Sequence, residues 1–222
     1  MLQILYETIS LAAAFGVGLY VFRYMSTFFR IMFLQLLIWI VFYILSYVVT
    51  MWQEAHQLPC DNQLLLNLHM LIETILLTTT AAVAFSSAWG KWLASAALGS
   101  FLTVFVWQGA PYGFSIYLNA ADVTECIVIS VLFALLLYRH FSNPGPIWWR
   151  SPEVLICLGI LIYFACSVPY IAMMHYIERQ YPGISVMLFQ GISELLNNIR
   201  YLLTAIAFWF IRRNALLLKR AK

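Results

Sequence analysis

The sequence predicts an all-α, polytopic membrane protein: a bundle of seven transmembrane helices. Three observations carry that expectation. Of 222 residues, 64% are apolar and 9% charged, whereas a soluble domain carries roughly 25% charged residues. The apolar residues fall into runs long enough to cross hydrocarbon, which takes about 20 residues per helix with every backbone polar group bonded inside the segment. Positive charge collects in alternate connections between those runs, as it does when a chain weaves through a bilayer.

Taken in order, the first run predicts a helix over 2–22. It has no positive n-region and no small-residue cleavage site, so it reads as a span and not as a signal peptide. The second helix is expected over 31–52. The breakers "QEAHQLPCDN" and "SSAWGK" flank a third over 63–86, and a fourth follows over 89–108. "QGAPYG" precedes a fifth over 115–138, "RHFSNPGPIWWRSPE" a sixth over 153–177 and "ERQYPG" a seventh over 184–211. Proline, glycine and short polar clusters at these points are turn chemistry. Pro169 falls inside the sixth helix, where a kink is expected and neighbouring helices can re-satisfy the freed carbonyl. Seven spans consume residues 1–211 and leave 212–222 as a basic tail. No internal repeat or low-complexity tract interrupts this pattern.

Charge then orients the bundle. Arg23 and Arg30 lie in the first connection, Lys91 in the third, Arg139 and Arg150 in the fifth, and Arg212, Arg213, Lys219, Arg220 and Lys222 in the tail. The other side has Arg179 beside Glu178, with Glu54 and Asp61. That bias predicts the N-terminus outside and the C-terminus in the cytoplasm. Trp52, Trp89, Trp92, Trp107, Trp148, Trp149 and Trp209 stand near predicted span ends, as interfacial anchors do. Cys60, Cys126, Cys157 and Cys166 form no CxxC pair and are expected as free thiols.

The informative residues are the polar ones inside this apolar frame. Helices three, five and seven all enter from the predicted outer side. Glu73, Glu125 and Glu194 each fall about ten residues in, roughly 15 Å deep, near the middle of a ~30 Å core. His69 and Glu73 are one turn apart on one face. Asn119, Asp122 and Glu125 spread over about a third of the fifth helix. Gln190, Glu194, Asn197, Asn198 and Tyr201 form a stripe on the seventh, with Arg200 beside it. Glu7 lies shallower on the first helix, and the even-numbered helices contribute almost no charge. A charged side chain at the bilayer centre costs about 2.5–3.5 kcal/mol on insertion scales, so these groups are expected to face inward. There they pair, line a hydrated cavity, stay protonated or hold a cation. Arg200 is the natural counter-ion for an acid on the third or fifth helix, because Glu194 lies six residues away on its own helix. Any one of these groups alone is equally well explained as interhelical hydrogen-bond glue, at about 0.6 kcal/mol on average. The set at one depth points to a binding cavity. The expected ligand-binding residues are therefore His69, Glu73, Asn119, Asp122, Glu125, Glu194, Asn197, Asn198 and Arg200. Gly99, Gly159 and Gly191 are expected where helices pack closely.

Several chemistries lack their residues. The seventh helix has no lysine for a retinal Schiff base, and no phosphate-binding glycine loop, HExxH pair or GxSxG elbow occurs. His56, His69 and His175 with nearby carboxylates suit zinc or iron in type. Without an HxxxH spacing, however, a metal-dependent membrane hydrolase is only the weakest of the alternatives. Neither a metal nor a cofactor is expected, nor a nucleic-acid partner. A proton- or cation-coupled transporter remains the alternative, since acid-lined cavities serve coupling; the missing repeat counts against it.

"WWRSPEVLICLGILIYFACSVPY" (148–170), "LLNNIRYLLTAIAFW" (195–209) and, more weakly, "LHMLIETILL" (68–77) resemble corresponding spans in a group of small, uncharacterised bacterial seven-helix membrane proteins. That group has a span of the form SPxFWixxGilIYFsG before an Asn-rich last helix. Here Glu153-Val154-Leu155 replaces the usual aromatic pair, and Cys166-Ser167 replaces Ser-Gly. Such proteins are similar to the membrane-embedded sensory parts of histidine kinases. The resemblance implies a multi-pass protein of the bacterial inner membrane that senses a ligand or cation and signals to a cytoplasmic partner, a histidine kinase or another signalling protein, without catalysis of its own. It carries no catalytic residue across.

Overall fold

The computed structural model describes residues 2–57, 62–142, 151–180 and 182–220, without the side chains of 2–7, 112, 174–175, 178–179, 182–190 and 215–220. The expectations for Glu7, Cys60, Asp61, Trp148, Trp149, Arg150, His175, Glu178, Arg179, Gln190, Lys219, Arg220 and Lys222 therefore lie outside the described residues and side chains.

Among the described residues the chain is all-helical, with seven α-helices and no strand. They are α1 (Leu2–Val21), α2 (Thr27–Ala55), α3 (Gln63–Ala84), α4 (Ala88–Gly109), α5 (Asn119–Ser142), α6 (Pro152–Gln180) and α7 (Pro182–Arg220). Single 3-10 turns at Phe22–Tyr24 and Ala110–Tyr112 lead out of α1 and α4. Five helices are long and apolar enough to cross a membrane: α2, α3, α4, α5 and the Pro152–Met173 part of α6. Such a chain has the make-up of a multi-pass membrane protein. The described apolar stretch of α1 is shorter, Thr8–Tyr24. α7 is the longest element at 39 residues, about 58 Å at 1.5 Å per residue. It does not stop near 211 but carries the basic segment on as helix to Arg220.

The helices do not pack in simple sequence order. α6 lies against both α5 and α7, α7 also lies against α1, and α3 meets α2, α4 and α5. The α1–α2 seam is the loosest between consecutive helices. Two glycines set close approaches. A Cβ on Gly18 would fall 2.6 Å from the Phe33 ring and 2.9 Å from Phe208, so its absence lets α1 close on α2 and α7. A Cβ on Gly159 would stand 3.4 Å from the Arg200 backbone, where α6 meets α7. Gly99 and Gly191 face open space, so the close packing expected of them is absent.

One half of the bundle is a solid core. Leu77, Ala81, Ile129, Leu132, Phe133, Leu136, Ile160, Phe164 and Phe208 are all exposed by 2% or less and belong to one apolar cluster. The cations stand at that end. Arg139 of α5 donates to the Ala84 carbonyl (3.1 Å) and to Ser86 Oγ (2.8 Å) in the α3–α4 connection. Arg212 lies over the Tyr20 ring at 4.6 Å. Trp52, Trp89, Trp92 and Trp107 are exposed near helix ends; Trp209 is exposed too, but within α7, because that helix runs on past the expected end, whereas Trp39 stands mid-helix and half-buried in α2. Cys126, Cys157 and Cys166 are free thiols.

At the other end the connection between α4 and α5 folds down into the bundle. Asn67, in the second turn of α3, donates its amide to the carbonyls of Phe114 (3.0 Å) and Ile116 (2.7 Å), and its carbonyl accepts from the Leu118 amide (3.3 Å). The turn reverses through Gly113 and Phe114, both with positive φ, a conformation costly for a phenylalanine unless its surroundings hold it. The Phe114 ring stacks on Phe105 at 5.3 Å. As a result α5 starts at Asn119, four residues after the expected 115, and starts level with Asn67 and not at the bundle's rim.

Candidate functional site

That recessed start fixes the site. Glu73 is six residues below Asn67 and Glu125 six residues below Asn119, so the two carboxyls arrive side by side. The Thr74 hydroxyl confirms the level, sitting 2.7 Å from Glu125 Oε1. Below the rim they open onto a cavity of about 300 Å³, at the small end of the roughly 300–1,000 Å³ typical of small-molecule sites. His69, Glu73, Asp122, Glu125, Glu194 and Asn197 line it, all of them expected from sequence. Trp39, Tyr117, Tyr163, Phe164, Tyr170, Met70, Cys126, Ser167 and Ser193 complete most of the wall.

Glu73 is the hub of the cavity floor. Its Oε1 accepts from Arg200 Nη2 at 2.6 Å and from Gln35 Nε2 at 2.7 Å, both buried. Its Oε2 lies 3.8 Å from His69 Nδ1. One carboxylate thus ties α2, α3 and α7 together. The Arg200 guanidinium also lies over Tyr163 (5.0 Å) and Phe164 (5.4 Å) of α6, a face-on placement that the ring quadrupole favours. Three buried polar atoms around this hub have no partner among the described residues: Gln35 Oε1, His69 Nε2 and Arg200 Nη1. Buried polar atoms left in that state are uncommon in proteins.

The other carboxyls rest on neutral donors. Asp122 Oδ2 accepts from the Tyr117 hydroxyl, and Cys126 Sγ approaches Oδ1 at 3.8 Å. Glu125 takes the Thr74 hydroxyl. Four acids therefore line the cavity, and the arginine that reaches it is already committed to Glu73. Among the described residues, the further positive charge available here is a proton or His69, and otherwise that of a ligand. Aromatic rings alternate with the acids, so the chemistry offered is that of a cation with an apolar body.

Not every expected residue belongs here. Asn198 turns to α1, where it accepts the Ser10 hydroxyl at 2.6 Å. Asn119 opens α5 outside the cavity lining, its Oδ1 buried without a partner among the described residues. Arg200 acts from beneath, through Glu73. Glu194 does not share the Glu73 level as the helix count predicted. Arg200, six residues further along α7, is the residue that reaches Glu73, so Glu194 stands about 9 Å nearer the rim. The expectation assumed that all three helices start at one height, and α5 and α7 do not. Gln35, Thr74, Tyr117 and Tyr163 were missed. Of these only Gln35 carried a signal, as the one side-chain amide in the apolar body of α2.

Among the described residues, no three His, Cys, Asp or Glu side chains are grouped so that they could hold a metal ion. No family model matches the chain, and no curated protein or solved structure does either.

Proposed function

We propose that this chain is a receptor-like sensory subunit that binds a small organic cation in the acid- and aromatic-lined chamber and passes the event to a cytoplasmic partner. The chamber carries this reading: it brings four carboxyls against one committed arginine, walled by aromatic rings. A protonated amine supplies the missing charge and stacks its body on those rings. In this reading the protein crosses the membrane seven times with its N-terminus outside, so that the chamber mouth meets the external medium and the solid half faces the cytoplasm. The one-sided build supports a receptor, because the described side chains beneath the chamber form a closely packed apolar cluster. Glu73 joins α2, α3 and α7, and a cation competing for it shifts how those helices pack. The resemblance of residues 148–170 and 195–209 to small uncharacterised bacterial seven-helix membrane proteins, themselves similar to the membrane sensory parts of histidine kinases, supports the bacterial inner membrane as location. It also supports a histidine kinase or another signalling protein as partner, contacted through the 139–150 connection and the basic end of α7.

The test is direct. Butylamine titrated onto the protein in phosphatidylcholine vesicles should bind saturably, read by tryptophan fluorescence or calorimetry. Replacing Asp122→Asn and Glu125→Gln together should weaken binding at least about tenfold, the loss of roughly one charge-assisted contact, while Arg139→Gln leaves it unchanged. Equal binding by the doubly neutralised protein would remove the chamber as the site. The surplus of acids also favours a second reading, a proton- or cation-coupled carrier. That reading predicts amine flux into proteoliposomes that stops when the same acids are neutralised; the receptor predicts binding without flux.

A further inference from the structure

Two grooves flank the chamber; the one between α1 and α2 shares only Trp39 with it, and the one between α2 and α3 shares Trp39, Leu66 and His69. One groove, of about 250 Å³, lies in the loose seam between α1 and α2 and is lined by Leu11, Ala12, Ile40, Tyr43 and Ile44, with Thr8 at its edge. The other, of about 120 Å³, lies between α2 and α3 against Phe42, Tyr43, Leu65 and Leu66. Trp39 borders all three spaces. Its indole meets His69 (5.2 Å) and Tyr201 (6.2 Å) edge-on and stacks on Tyr43 (6.5 Å). It stands mid-helix, away from the interfacial level where the exposed tryptophans of this chain gather.

Resting on the reading of the chamber as a cation site, we infer that the ligand is a single-chain amphiphile carrying an ammonium head. The head enters the chamber among Glu73, Asp122 and Glu125, and the hydrocarbon tail lies in the α1–α2 groove past Trp39. Three features select this class over a compact amine. The groove is almost wholly apolar, so it offers nothing to a polar body. Its lining includes the exposed Ala12, Tyr43 and Ile44 on helices proposed to face lipid, so a tail need not leave hydrocarbon to reach it. It also runs along the seam where α1 and α2 are least bound to each other, the place where a helix can yield to admit a chain. A tail moving from lipid into such a groove gains little, since both are apolar. The head therefore supplies the affinity, and the groove selects for ligands already dissolved in the membrane.

The experiment uses the full chain in phosphatidylcholine vesicles with dodecylamine bearing a diazirine at the tail end, and butylamine as the short control. Irradiation should place adducts on Leu11, Ala12, Ile40 or Ile44, displaced by unlabelled dodecylamine. Ala12→Trp fills the groove from its lipid-facing side without touching the core. It should lower dodecylamine occupancy about tenfold, the scale of overpacking a formed space, while butylamine binding changes less than about twofold. Trp39→Ala should admit the long amine faster at unchanged acid dependence. Adducts spread evenly over α4 and α6 as well, with butylamine still bound through Asp122 and Glu125, would overturn the amphiphile and leave the chamber standing. If neither amine binds, both readings fall.

Discussion

At the scale of single residues, the bundle is organised by one carboxylate. Glu73 accepts from Arg200 and from Gln35 through the same oxygen, so a single atom holds two foreign helices. A buried ion pair is expensive to half-remove: deleting one partner leaves a desolvated charge and costs about 3–5 kcal/mol, whereas replacing both with apolar groups is often neutral. Arg200→Met and Glu73→Leu should each destabilise the protein on that scale in thermal melts of the detergent-solubilised chain, and the double replacement should recover most of the loss. Additive losses in the double variant would show that the two side chains do not depend on each other. Gln35→Leu should cost less, about 1.5–3 kcal/mol, as the loss of one hydrogen bond to a charged group. The Arg200 pairing was legible in the sequence, because six residues along one helix is too far for Glu194 and an arginine inside hydrocarbon needs an acid. Its partner's identity was not, since Glu73 and Glu125 differ only in which helix flank faces α7, and that depends on packing. Gln35 lay outside expectation for a related reason: a neutral amide in a helix of leucine and phenylalanine leaves little mark on composition.

Among the elements, the connection between α4 and α5 decides whether the acids meet. Had α5 begun at 115 at the bundle rim, Glu125 would lie about 15 Å down by its own count. Observed, it lies six residues into a helix that itself starts lower, and the two differences bring it to the level of Thr74. The sequence "SIYL" (115–118) reads as the start of the helix because it is mostly apolar and follows the "QGAPYG" breaker. Its backbone is instead satisfied by a side chain fifty residues earlier, and a local pattern carries no sign of that. Asn67 ties α3 to this connection with three hydrogen bonds. Asn67→Leu leaves two carbonyls and one amide without that partner, at about 1–3 kcal/mol for each group that stays buried. It should also release the positive-φ turn at Phe114. The expected result is a lowered melting temperature together with weaker amine binding, because Tyr117 no longer meets Asp122. An unchanged melt in Asn67→Leu would mean that the recess is held by the Phe105–Phe114 packing instead.

Across the whole molecule the polar and apolar halves are segregated along the helix axes, and that segregation is the feature most open to a global test. Hydropathy and charge made the helical membrane character legible, because both are summed over whole segments and survive errors at any one residue. They did not reveal that α7 runs on to Arg220, since a basic stretch reads equally well as helix or tail, nor that the acids sit above a filled core, since leucine and phenylalanine look alike facing lipid or neighbours. The segregation predicts access from one side only. In a chain whose four cysteines are replaced by serine, a cysteine at Ser193, on the chamber wall, should react with a membrane-impermeant maleimide added to intact cells. Butylamine should slow that reaction. A cysteine at Leu77 or Phe133, both fully buried in the solid half, should react from neither side until the protein is denatured. One at exposed Lys91, in the first turn of α4, should react only after the membrane is opened. Labelling of Ser193→Cys from the cytoplasmic face alone would invert the proposed orientation while leaving the chamber intact. Equal labelling of Leu77→Cys and Ser193→Cys would mean that water crosses the core, and with it the carrier would replace the receptor.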